Sequence, residues 1–122
     1  MDVQTIAIET LAGRDFYLSL GDFLDEFYRA DKSSRVDMIK NPPDFSFTDE
    51  NLAYLAASIH KLANDYEIET PNWVFDERCY LRDKPFFGCS ATGNLRLLFM
   101  YKSPAEFKHR NLFVDENVLA RV

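Results

Sequence analysis

The sequence predicts a single, compact all-α domain over residues 1–122. Two segments, about 15–30 and 48–66, repeat apolar residues at the three- and four-residue spacing of a helix with one buried face. Residues that favour helix capping stand at the start of both segments, and a length of 122 residues suits one hydrophobic core. We therefore expect these two helices to form the core, wrapped by short helices and an irregular, aromatic-rich C-terminal half.

The first two predicted helices have recognisable boundaries. Residues 2–12 form the first helix, because Asp2 can cap it and Gly13 can adopt the left-handed conformation that often ends a helix. Asp15 is the predicted cap of the second helix, 15–30. Its phenylalanine and leucine side chains fall on one stripe, so that face should be buried.

A third, shorter helix and the longest helix complete the N-terminal half. Ser33 or Ser34 can cap the third helix, which must end before Pro42-Pro43 because proline has no backbone N–H to donate. Thr48 can cap the helix at 48–66, and two acidic residues in its first turn favour the positive end of the helix dipole.

The C-terminal half predicts shorter elements. Residues 72–78 favour a short helix after a proline, and the proline and glycines of 83–93 indicate a loop. The apolar run 95–101 is short enough for a helix or a buried strand, and the asparagine before it favours a helix. A proline-initiated helix is expected over 103–110, followed by one or two helical turns over 115–121.

The charge is unevenly distributed along the chain. The net charge is −6, with 14 acids and 6 bases in residues 1–69 but 6 acids and 8 bases in residues 70–122. An acidic protein repels the phosphate backbone, so we expect no nucleic-acid partner. The sequence has neither a membrane-spanning run nor a secretory leader, which favours a cytoplasmic protein without a membrane partner.

No sequence motif predicts catalysis, a metal or a cofactor. Phosphate-binding glycine loops, nucleophile elbows and zinc-protease motifs are absent. Cys79, Cys89, His60 and His109 are potential ligands, but none of them shows the short spacing of a zinc site. A cysteine–histidine nucleophile pair has little support, and His60, which lies off the apolar stripe of its helix, is expected to be solvated.

The aromatic residues of the C-terminal half favour a protein-binding surface. Residues 73–113 interleave many large rings with arginines, the residue types that are enriched at protein interfaces. The predicted partner-binding residues are Trp73, Arg82, Phe86, Phe87, Arg110 and Asn111. The alternative is a small-molecule-binding or enzymatic domain with a pocket near Trp73, Cys79, Phe86 and Arg110, and a homo-oligomer with a structural role is a third possibility.

Several short motifs in the C-terminal part occur in the same order as in a known protein family. They are Pro71-Asn72-Trp73, Pro85-Phe86-Phe87, Leu95-Arg96, Ser103-Pro104-Ala105 with Phe107, and Arg110-Asn111-Leu112-Phe113-Val114, with a weaker likeness at residues 22–28. Through them, roughly residues 68–122 resemble the C-terminal accessory domain of bacterial, often actinobacterial, antitoxin-type helix-turn-helix regulators. Those regulators are found beside nucleotidyltransferase-like toxin genes.

The resemblance implies a protein that binds and neutralises a partner, such as a co-encoded toxin. This chain departs from the pattern, because no DNA-binding domain precedes the similar segment and no basic recognition helix is present. DNA binding is therefore not carried over from the regulators. Protein binding without catalysis is the function that the sequence favours.

Overall fold

The computed structural model describes residues 1–88 and 93–121, with the backbone alone at residues 93–95. Helices dominate this part of the chain, as predicted. In chain order the elements are α1 (Val3–Leu11), α2 (Phe16–Arg29), α3 (Lys32–Ile39), α4 (Asp49–Asp65), β1 (Phe86–Phe87), α5 (Gly93–Lys102), α6 (Ala105–Lys108) and β2 (Leu112–Phe113). Two short 3-10 helices, Asn72–Phe75 and Glu77–Cys79, lie between α4 and β1.

The predicted caps of the long helices are present. The Asp15 carboxylate accepts hydrogen bonds from the Tyr17 and Leu18 amides at 2.9 and 3.2 Å, and the Thr48 hydroxyl accepts from the Asn51 amide at 3.3 Å. These contacts satisfy amide groups that have no partner within the helix. They explain why both helices begin where the sequence predicts.

Helix α3 begins differently from the prediction. The Asp31 carboxylate caps it by accepting from the Ser34 amide at 2.8 Å, so neither Ser33 nor Ser34 is the cap. With Asp31 as the cap, the helix begins at Lys32 and both serines lie in its first turn, and the charge of the aspartate strengthens the hydrogen bond. Only Ile39 of this helix is fully buried.

Helix α4 lies at the centre of the core, and its residues 52–59 are all buried. Aromatic rings connect α2 with α4 and with the residue that follows it. The ring centroids of Phe16 and Tyr54 are 5.9 Å apart, and those of Phe27 and Tyr66 are 5.5 Å apart. Edge-to-face pairs of this kind contribute beyond the area that they bury, so they help to fix the two helices together.

The C-terminal end of α4 contains a residue in an unfavourable conformation. The Ile68 amide donates to the Ala63 carbonyl at 3.0 Å and the Glu67 amide to the Asn64 carbonyl at 3.4 Å, which is the Schellman pattern. Glu67 has a φ of +55°, in the left-handed region that glycine normally occupies at this position. The turn therefore strains the Glu67 backbone.

Replacing Glu67 by glycine is expected to raise the free energy of unfolding by about 0.5–1 kcal/mol. Removing the Cβ relieves the left-handed strain, and part of that gain is lost to the greater freedom of glycine in the unfolded chain. Urea denaturation measures the difference. Glu67→Ala keeps the Cβ and should change stability little, whereas a glycine variant less stable than Glu67→Ala would contradict this explanation.

The segment predicted as a loop, 83–93, contains a strand. Phe86 and Phe87 of β1 pair in parallel with Leu112 and Phe113 of β2, and the Gly88 amide donates to the Phe113 carbonyl at 2.9 Å. A two-residue strand is too short to show alternating hydrophobicity, so the sequence could not reveal it. The run 95–101 is helical within α5, and 115–121 forms turns rather than a helix.

Candidate functional site

Helix α5 exposes an apolar stripe to solvent. Leu97 and Tyr101 are 62% and 79% exposed, and Leu98 and Met100 are exposed as well. At about 100° per residue these four side chains occupy one continuous arc of about 160°. Phe99, which is half-buried, lies on the opposite side of the helix. We call Leu97, Leu98, Met100 and Tyr101 the α5 stripe.

Aromatic and basic side chains attach α5 to the rest of the protein. The Arg96 guanidinium lies 4.0 Å from the centre of the Phe87 ring, and Phe87 stacks on Phe113 with a centroid separation of 5.3 Å. At the other end of the helix, the Lys108 ammonium donates to the Tyr101 carbonyl. A cation–π contact thus holds α5 on the β1–β2 pair, and the lysine of α6 caps a carbonyl at the C-terminal end of α5.

A buried serine fixes the turn between α5 and α6. The Ser103 hydroxyl donates to the Leu112 carbonyl at 3.2 Å and accepts from the Val114 amide at 3.2 Å. The Ser103 amide also donates to the Phe99 carbonyl at 3.0 Å. Since both sides of this hydroxyl are used within the protein, Ser103 connects the end of α5 directly to β2.

The structure places two of the predicted partner-binding residues in the core. The Trp73 side chain is buried, and its indole N–H donates to the Ile39 carbonyl at 2.9 Å. Arg110 is only 1% exposed. Because both side chains are buried, a partner could not contact them in this conformation.

The other four predicted residues lie nearer the surface. Arg82 is exposed and pairs with Glu77 at 3.1 Å, whereas Phe86 is half-buried against Tyr54 at a centroid distance of 6.1 Å. Phe87 lies beneath Arg96. Asn111 is half-buried with a φ of +64° and ends the turn after α6, as the sequence predicts.

Arg110 connects four segments of the core. Its Nη1 donates to the Glu106 carbonyl at 2.9 Å and lies 3.1 Å from His60 Nδ1, and its Nη2 donates to the Val74 carbonyl at 2.7 Å. The guanidinium also lies 4.7 Å from the Tyr80 ring centre. All of these partners are uncharged, and burial accordingly lowers the pKa of Arg110 from its ordinary value.

His60 is a partner of Arg110 and not the solvated histidine that the sequence suggests. It is half-buried, and its ring meets the Phe75 ring edge-on at 5.0 Å. Since Arg110 only donates, the facing His60 Nδ1 must accept, which requires a neutral imidazole. Burial, and then the Arg110 charge, lower the pKa of His60, while Glu106 acts in the opposite direction.

The lowered pKa of His60 predicts a loss of stability in mild acid. As the pH falls, His60 takes up its proton at a higher pH in the unfolded chain than in the folded protein. The contribution of neutral His60 to the free energy of unfolding is therefore complete above pH 6.5, and it is lost between pH 6.5 and the lower pKa of His60 in the folded protein. Urea denaturation at pH 7.5 and 5.5 should show a larger loss for the wild type than for His60→Gln, whose amide oxygen can still accept from Arg110. Equal losses would contradict this role for His60.

Of the residues named for the alternative pocket, Trp73, Cys79 and Arg110 are buried and Phe86 is half-buried. An open cleft of about 410 Å³ lies beside these residues, and both acidic and basic side chains line it. Its lining includes Tyr80 but none of the four predicted residues.

The cysteines and histidines form no reactive cluster in the described residues. Cys79 is buried, and burial raises the pKa of its thiol to about 11. A thiol with so high a pKa is a poor nucleophile at neutral pH. No group of potential metal ligands forms within the described part of the chain, and Cys89 lies outside it.

The residues of the α5 stripe lie within the aromatic-rich region 73–113 but are not among the predicted partner-binding residues. The run 95–101 was predicted to be a helix or a buried strand, and its local pattern does not show which of its side chains solvent reaches. A usable signal was present, because Arg96 and Lys102 fall on either side of the stripe in the helical projection.

Comparison of the chain with protein-family models, with curated proteins and with solved structures gives no match. In residues 1–88 and 93–121, no helix combines the length and the apolar character that a membrane crossing requires.

Proposed function

We propose that this protein is a non-enzymatic, cytoplasmic protein-binding module that holds a different protein through α5. The observation that carries the proposal is the α5 stripe, whose apolar side chains face solvent on a helix anchored to the core. Exposed apolar side chains grouped on one face often mark an interaction site. An amphipathic helix that inserts into a groove uses anchors with this spacing.

The charges on α5 favour a partner other than a second copy of the chain. The charged residues of this helix are Arg96 and Lys102, and both are basic. A symmetric contact between two α5 helices would bring these cations together without an acid from either helix to balance them. Binding of α5 to the acidic N-terminal half of another copy would be head-to-tail, which produces open chains unless a ring closes.

The finer proposal is that the partner is a co-encoded toxin and that binding neutralises it. Support comes from the motifs of the antitoxin-type resemblance, residues 85–87 and 110–114, which include the paired strands β1 and β2. Those strands support α5 through Phe87 and Arg96. The motifs that carry the resemblance thus lie next to the proposed binding helix.

Making the α5 stripe polar at two positions should weaken partner capture without unfolding the protein. The test compares the tagged full chain, a Leu97→Ser/Leu98→Ser variant and an Ile8→Ser/Leu18→Ser variant in cells of the source organism. Ile8 and Leu18 are the matched control, since they are 66% and 62% exposed on α1 and α2. Mass spectrometry identifies the bound protein, and size-exclusion chromatography of the purified components gives the stoichiometry.

We expect the wild type and the Ile8→Ser/Leu18→Ser control to hold the same protein in a fixed ratio. The Leu97→Ser/Leu98→Ser variant should bind it about tenfold or more weakly at an unchanged melting temperature, because anchor residues dominate interface energetics. The proposal fails if no protein binds in a fixed ratio. It also fails if the two double variants bind equally well.

A further inference from the structure

We infer that the partner of α5 is a folded protein with an apolar groove bordered by carboxylates on both sides. This inference depends on the proposed function and specifies the chemistry of its partner. The evidence is the arrangement of charges around the α5 stripe, which differs from that of the rest of the protein.

Basic side chains flank both edges of the α5 stripe. In a helical projection at about 100° per residue, Arg96 lies about 40° beyond Met100 at one edge of the stripe. Lys102 lies about 40° beyond Leu98 at the other edge. Both cations are exposed, and the ten residues of α5 include no acid. A groove that receives the stripe therefore meets a cation at each rim.

The surroundings of α5 preserve this positive character. The Lys108 ammonium lies at the C-terminal end of α5, bonded to the Tyr101 carbonyl. The acid of α6, Glu106, has its carboxylate turned towards α4, where it accepts a hydrogen bond from the side-chain amide of Asn64 at 2.9 Å. The local surface is thus basic although the whole chain has a net charge of −6.

These features define how the partner would recognise α5. Leu97 and Tyr101, one turn apart, are the central anchors, and a groove floor that buries them must be apolar. Carboxylates at the rims would pair with Arg96 and Lys102 and would steer association over a distance of about 8–10 Å at physiological salt. An uncharged groove would leave Lys102 without an ionic partner, and it would leave Arg96 with only the Phe87 ring.

Reversing one rim charge tests the inference. The purified partner identified by capture is titrated with the full chain, with Lys102→Glu and with Lys32→Glu, at 50 and 300 mM NaCl. Lys32 is the matched control, since it is an exposed lysine on α3 and its reversal changes the net charge equally. Anionic vesicles of phosphatidylserine and phosphatidylcholine are tested in parallel as an alternative occupant.

We expect Lys102→Glu to raise the dissociation constant about three- to tenfold at 50 mM NaCl, with a smaller effect at 300 mM because salt screens exposed charges. Lys32→Glu should have a smaller effect than Lys102→Glu. The two charge reversals could raise the dissociation constant equally while Leu97→Ser/Leu98→Ser still weakens binding. That result would contradict the inferred carboxylate rims and leave the protein-binding function supported. If vesicles bind through the α5 stripe and no protein does, both proposals fail.

Discussion

Replacing Arg110 by alanine is expected to lower the free energy of unfolding by about 3–5 kcal/mol, the range for disruption of a buried polar network. The change removes the donor to the Val74 and Glu106 carbonyls and to His60, and it empties the space beside Tyr80. Unpaired buried acceptors cost about 1–3 kcal/mol each, and the release of the buried charge offsets part of this cost. Urea denaturation measures the difference.

Arg82→Ala is the matched control for this prediction, because both arginines were predicted from the sequence to bind a partner. Arg82 is exposed and pairs with the exposed Glu77, so its removal should change stability by about 0.5 kcal/mol or less. An Arg110→Ala variant as stable as Arg82→Ala would show that Arg110 does not hold the core together.

Replacing Tyr54 by alanine should also lower the free energy of unfolding by about 3–5 kcal/mol. The buried Tyr54 ring meets the rings of Phe16, Tyr17, Phe86 and Phe107 edge-on, with centroid distances of 5.3–6.1 Å. Its removal leaves a cavity among α2, α4, β1 and α6 and removes four aromatic contacts. Thermal and urea denaturation both measure the loss.

Tyr54→Phe is the control, since it keeps the ring and deletes only the hydroxyl. We expect it to change stability by less than about 1 kcal/mol, because a volume-conserving substitution keeps the packing. If Tyr54→Phe is as unstable as Tyr54→Ala, the hydroxyl and not the ring is the important group.

The long helices could be predicted from the sequence because their signals are local. Asp15 and Thr48 lie next to the amides that they cap, and the apolar stripes of α2 and α4 repeat within one helix. The β1–β2 pair could not be predicted, since its strands are two residues long and pair across a wide separation in sequence. The cap of α3 was assigned to the wrong residue for a local reason, because Asp31 is also a good cap and starts the helix before the serines.

The candidate site was only partly predictable, because burial is decided by distant contacts. Trp73 and Arg110 are residue types that interfaces favour, but Ile39, Val74 and His60 supply acceptors that hold them inside the core. The α5 stripe is the reverse case, because its apolar pattern is typical of a core helix and yet its side chains are exposed. Composition identifies residues capable of binding, but only the packing shows which of them solvent can reach.

Site-specific photo-cross-linking is the most direct test of whether α5 is the partner-binding helix. A benzophenone side chain is placed at position 97, or at position 8 as the control, in the full chain expressed in cells of the source organism. We expect position 97 to cross-link to one protein, the same one that co-purifies with the wild type, and position 8 not to cross-link to it. Cross-linking of that protein at position 8 and not at position 97 would contradict this role of α5.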